Sequence, residues 1–218
     1  SVVNFESPVL PVSLDREIKG EGPYIFGETV TLNVTKEAFE QYTLAPDGRY
    51  ILSFHLKNSD AKSLNLLLEN VSLQPGEEIL VYNPKQPSYN LLYGQRNISK
   101  NKTLTTLPIA GNELMLVLAL NNKRKNAFDF GHVVYGYKST GAFGDSGSCN
   151  VNANCPDAND FRDQQKAVAL ILNAAGNGHC TGTLVNNSSN DGTPYLITAG
   201  HCIPANRNNL QNWTFAFG

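Results

Sequence analysis

The chain has 218 residues, a net charge of −2 and 17% charged side chains, below the ~25% usual for soluble domains. With a pI near 6.1 it offers no basic surface for nucleic acid or for an anionic membrane. Its longest apolar run, AVALIL at 167–172, is far too short to cross a bilayer, so neither partner is expected, and no cofactor is expected either. The chain opens at Ser1 without a signal peptide, which reads as a processed N-terminus.

Up to about residue 138 short strand-like runs follow one another: YIFGETVTLNVT, YILSFHL, SLNLLL, EILVY, LTTLPI, ELMLVLAL and FGHVVYGY. They are rich in β-branched and aromatic residues, and turn signals such as APDG, QPGEE, NPKQP and AGNE separate them. That pattern predicts an all-β, jelly-roll-like sandwich over 1–138, with the nearly continuous ELMLVLAL as a central strand. KEAFEQYTL at 36–44 is the exception, a short helix or a long loop. Sequons at Asn33, Asn97 and Asn101 carry little weight in so Asn-rich a chain.

From Ser139 the grammar changes. STGAFGDSGSCNVNANCPDAND reads as an extended linker, FRDQQK as a helical turn and AVALILN as a buried strand. CTGTLVNN and TPYLITAGHC then flank the turn signal Asn190-Asp191-Gly192, where Asp-Gly supplies positive φ. Folding the chain about Asp191 sets Cys180 opposite Cys202, which favours a disulfide across the open end of the hairpin. All four cysteines (149, 155, 180 and 202) fall in this last part and form no C-x-x-C pair. His179 and His201 each adjoin a cysteine, and neighbours on a strand point to opposite faces, so no metal site is expected.

LITAGHC at 196–202 resembles the strand end that carries the general-base histidine in trypsin-like serine proteases, with Gly200 where the second Ala usually stands. CTGTLV at 180–185 resembles its partner strand. More narrowly, SGSCNVNANCP, RDQQKAVALI, CTGTLVNN and PYLITAGHC resemble the bacterial lysyl endopeptidase group. AKSLNLLLENVSLQPGEEILVYNP, LTTLPIAGNELMLVL and FGHVVYGYK resemble the pro-region that precedes the protease in these secreted precursors. The resemblance implies a secreted precursor: a pro-region over 1–138, then the first part of a chymotrypsin-like barrel over 139–218. It makes His201 the catalytic base, proteins or peptides the substrates, and the pro-region a partner packed on its own protease part. Lysine preference comes from the resemblance alone, and Lys138–Ser139 becomes a candidate processing site.

GDSG at 144–147 spells a nucleophile motif, but chain order rejects it. In the chymotrypsin arrangement the serine follows the histidine, whereas Ser146 lies 55 residues before His201. The resemblance puts the triad Asp and Ser, the oxyanion hole and the specificity pocket beyond Gly218, so these 218 residues alone are expected to be inactive. Cys149 and Cys155, whose family partners would also lie further on, are expected to be free or joined to each other. Half a barrel should also expose an apolar strand face, to be covered by the sandwich or a second copy, or left disordered. A rival reading makes residues 1–138 a secreted module binding glycans or peptides, with Tyr24, Tyr89, Tyr93 and Tyr137 as a candidate aromatic row.

Overall fold

The structure is a computed structural model that describes residues 2–7, 24–34, 36–124, 127–138, 153–173, 177–203 and 207–217. It is all-β. The first sheet runs β1 (Val2–Asn4), β5 (Tyr50–Lys57), β11 (Glu113–Leu120), β7 (Glu78–Asn83), β8 (Gln86–Tyr93), with β4 (Thr43–Leu44) also paired to β5. The second runs β10 (Ile109–Ala110), β6 (Ser63–Glu69), β12 (Asp129–Gly136), β3 (Gly27–Val30), with β9 (Leu104–Thr105) beside β6. β1 lies parallel to β5, and the remaining pairs are antiparallel.

Period-two alternation places the core between these sheets. On β5 the side chains of Leu52, Phe54 and Leu56 are buried, and on β11 those of Leu114, Leu116, Leu118 and Leu120. They meet Leu64, Leu66, Leu68 and Val133 of the second sheet. ELMLVLAL is the middle strand of its sheet, in register with β5 on one side and β7 on the other. KEAFE forms a single 3₁₀ turn at Lys36–Glu40 that delivers Phe39 to Phe54 and Phe128, ring centroids 5.1 and 5.3 Å away.

A third sheet runs β15 (Tyr195–Ile197), β14 (Asn177–Val185), β13 (Val168–Leu172), β16 (Thr214–Phe217). It is open, not a closed barrel, and among the described residues β16 pairs only with β13. A further strand, β2 (Tyr24–Ile25), pairs with β14 through Ile25↔Asn177 and Tyr24↔Gly178. The run YIFGETV, which reads as one strand in the sequence, is therefore divided. Two residues serve the third sheet, four serve the second, and Phe26 sits buried between them.

The third sheet lies against the outside of the second. Phe26, Val134 and Leu172 form a small buried cluster, flanked by Leu107, Leu170 and Ala216. Thr103 Oγ1 donates to Asn212 Oδ1 at 2.8 Å, and Thr214 Oγ1 reaches the Thr105 carbonyl. This contact covers one part of the apolar sheet surface. Val168, Ile197, Phe215 and Phe217 remain exposed. No helix among the described residues is long and apolar enough to cross a membrane.

Candidate active site

β14 and β15 approach closely because Gly182 has no side chain: a Cβ there would meet Leu196 Cδ2 at 2.8 Å. The strands are in register through Thr183↔Ile197, Leu184↔Leu196 and Val185↔Tyr195, an axis that passes through Asn190 and not Asp191. On that axis Cys180 would face Gly200. The sequence-based register is thus two residues off. The turn differs too, since both Asn190 (φ 48°) and Gly192 (φ 74°) take left-handed backbone. Asp191 Oδ1 accepts from the Asn187 side chain and from the Thr193 N–H. Those two hydrogen bonds hold the Asp191 carboxyl down at about 2.

β15 ends at Ile197, and Gly200–Cys202 curls into a 3₁₀ turn closed by Cys202 N–H donating to the Ala199 carbonyl. The curl, not the strand register, carries the Cys202 sulfur back to Cys180. The two form a disulfide with Cα atoms 6.0 Å apart. Thr198 Oγ1 donates to the Thr181 carbonyl at 2.8 Å and ties the approach to the turn. His201 is exposed at the apex, beside buried Cys202.

The turn also corrects the ground on which a metal was set aside. His201 and Cys202 are not on a strand, and the His201 ring and both sulfurs offer atoms within 4.8 Å of one another. The disulfide is what removes them as ligands, since neither sulfur is a thiolate. Cys180 lies opposite Ile171, whereas Leu170, Leu172 and Ala216 share the other face. The crosslink that holds His201 is therefore on the side of the third sheet turned away from the contact with Phe26 and Val134.

The remaining sequence candidates fall as follows. Lys138 is half-buried, its N–H donating to the Phe26 carbonyl at 3.2 Å, while Ser139, Ser146 and Cys149 lie outside the described residues. Cys155 carries a free thiol just ahead of a 3₁₀ turn at Pro156–Phe161. Of the tyrosines offered as a sugar-binding row, Tyr89 is exposed, Tyr137 is half-buried and Tyr93 is buried; the Tyr24 side chain is outside the described residues. Tyr93 accepts the Leu107 N–H, and burial pushes its hydroxyl up to about 12. It belongs to the packing, so the row does not form. Elsewhere, Glu113 contacts His55 and Lys57 of β5 and Lys85 in the turn between β7 and β8, a charge cluster at the edge of the sandwich.

Residues 143–218 match the family described as lysyl endopeptidase, C-terminal domain. This chain resembles the lysyl endopeptidases. The lysyl endopeptidase of Pseudomonas aeruginosa is 28% identical over 178 residues, a stretch covering 72% of this chain and 38% of that protein. The chain thus spans well under half of that lysyl endopeptidase. No solved structure matches.

Proposed function

We propose that the chain is the leading portion of a secreted, lysine-directed serine endopeptidase precursor, with His201 as the general base of a Ser-His-Asp triad. The observation that carries this reading is the position of His201. It is an exposed imidazole at the apex of a disulfide-closed turn, within the region that matches the lysyl endopeptidase family. A general base must be held rigidly and still reach its nucleophile; a disulfide-closed turn that leaves the imidazole exposed supports that role.

On this reading residues 1–138 are the pro-region, 139–218 the beginning of the protease domain, and Lys138–Ser139 the bond cut on maturation. Peptides and proteins are the substrates of the complete enzyme. The 218 residues by themselves carry the base without its Asp and Ser partners and hydrolyse nothing. His201 is exposed, with its crosslink on the face away from the sandwich, so on this reading the pro-region does not plug the histidine.

The test is a chimera in which residues 139–218 replace their counterpart in the Pseudomonas aeruginosa lysyl endopeptidase. The chimera should cleave a lysyl amide substrate, and His201→Ala should lower kcat by roughly 10³-fold or more with an unchanged melting temperature. Equal activity in the alanine variant would refute the assignment. So would lysyl amide hydrolysis by the 218-residue chain alone that survives His201→Ala.

A further inference from the structure

A cavity of about 340 Å³ opens between the sandwich and the third sheet. Leu107, Pro108 and Ala110 line it from the sandwich, and Leu170, Leu172 and Ala216 from the third sheet. Leu170 of β13 and Ala216 of β16 are cross-strand partners and present one apolar surface to it. Its walls are pinned from behind. The Leu107 N–H donates to the Tyr93 hydroxyl at 2.9 Å, and Asn83 Nδ2 donates to the Ala110 carbonyl at 2.7 Å. Ile109 and Ala110 are in register with Leu64 and Ser63 of β6, and Leu172 is buried against Phe26 and Val134. Walls held in this way cannot close on the space, and their facing atoms lack contacts that an occupant would supply.

Three features of the lining specify that occupant. The first is size. An apolar cavity of ~150 Å³ holds benzene, so one roughly twice as large suits two fused rings. The second is charge. No Asp, Glu, Lys, Arg or His is among the described lining residues, and an ion there would lose hydration without gaining a partner. The third is polarity. Gln86 and Tyr89 of β8 complete the lining, and both are exposed, which puts an amide and a phenol at the rim. Apolar walls with a few convergent polar groups are the usual make-up of a small-molecule site.

We propose that this cavity is a binding site for a neutral two-ring aromatic molecule that carries one hydroxyl or N–H group. The rings lie against the leucines of the two parts, and the polar group meets Gln86 and Tyr89 at the rim. The site goes beyond the reading of His201 and stands whether or not that histidine has catalytic partners.

The test titrates 2-naphthol into the 218-residue chain by calorimetry at neutral pH, at two protein concentrations. One site per chain is expected, with a dissociation constant of ~100 µM. Naphthalene, the same rings without the hydroxyl, should bind about fivefold more weakly. The double variant Gln86→Leu, Tyr89→Phe should erase that difference. Ala110→Phe, at an exposed position, fills the cavity and should weaken both probes about tenfold or more with an unchanged melting temperature. Ala216→Leu fills it from the other wall and replaces Ala110→Phe if that chain loses its circular dichroism. No saturable binding up to ~1 mM would overturn the proposal, as would several equivalent sites per chain. So would equal affinity for the two probes, or filling variants that leave the affinity unmoved. An affinity that falls as the protein is concentrated would put a second copy of the chain in the cavity and overturn it too. Each of these results leaves the reading of His201 intact, since that is judged by hydrolysis.

Discussion

Glu77 is a charged residue enclosed by the sandwich, and its surroundings explain how the fold tolerates it. Its side chain is fully buried and takes a two-pronged ion pair from Arg124, while Gln74 and Asn121 donate backbone N–H groups. Burial alone would raise this carboxyl, but the Arg124 hydrogen bond and the two N–H groups outweigh it and hold it below the ordinary 4.5. Arg124 also donates to the Ser72 carbonyl, and its own carbonyl accepts from Tyr42, so one pair fastens three loops. Glu77→Gln leaves Arg124 unpaired and should cost about 3 kcal/mol in a denaturant melt at pH 7. A depressed folded pKa stabilises above the unfolded value near 4.5 and ceases to do so as pH falls through the folded value. The gap between wild type and variant should therefore narrow in acid. A gap that is constant from pH 7 to about 2 would contradict an ionic origin.

Among the elements, the β14–β15 hairpin depends on its crosslink, because β15 contributes only three residues of pairing. Reducing the disulfide, or replacing both cysteines by serine, should destabilise the hairpin by roughly 3 kcal/mol in the chain-entropy account. Hydrogen exchange should show the loss confined to residues 177–203, while β5 and β11 keep their protection. Loss of protection throughout the sandwich would mean that the hairpin and the sandwich unfold as one unit.

Element identity was legible wherever alternation or apolar density was strong, as in YILSFHL and ELMLVLAL, and the Asn-Asp-Gly turn was visible too. Register was not. A register set by two left-handed residues and a close glycine contact leaves no mark in a hydrophobic pattern, so the axis at Asn190 was missed by one residue. The divided strand was equally hidden. Val134 Cγ1 lies 2.7 Å, and the Tyr135 carbonyl 2.8 Å, from where a Gly27 Cβ would stand, so the backbone passes tightly against β12 just where the chain changes sheets. In sequence that is only a glycine following a phenylalanine. The candidate site was legible as a motif, since TAGHC names the histidine. The curl at 200–202 that orients it was not, because that segment looks like the continuation of a strand.

Across the molecule, two sheets enclose one core and a third rests on the outside of the second, through Phe26, Val134 and Leu172 among the described residues. The sandwich should thus retain its fold when the third sheet is disturbed, and not the reverse. The joint, with Ser63 and Asn65 buried beneath the third sheet, was beyond reach of the sequence, because both sit in a stretch that reads as ordinary strand.

Among the described residues β16 pairs with β13 alone, and Phe215 and Phe217 are 40% and 45% exposed along it. Unpaired backbone amides beside bare aromatic rings invite end-to-end stacking of chains. Solutions of these 218 residues should therefore scatter light increasingly as they are concentrated. Phe217→Lys should suppress the scattering without moving the melting temperature, and turbidity unchanged by the lysine would point to another sticky surface.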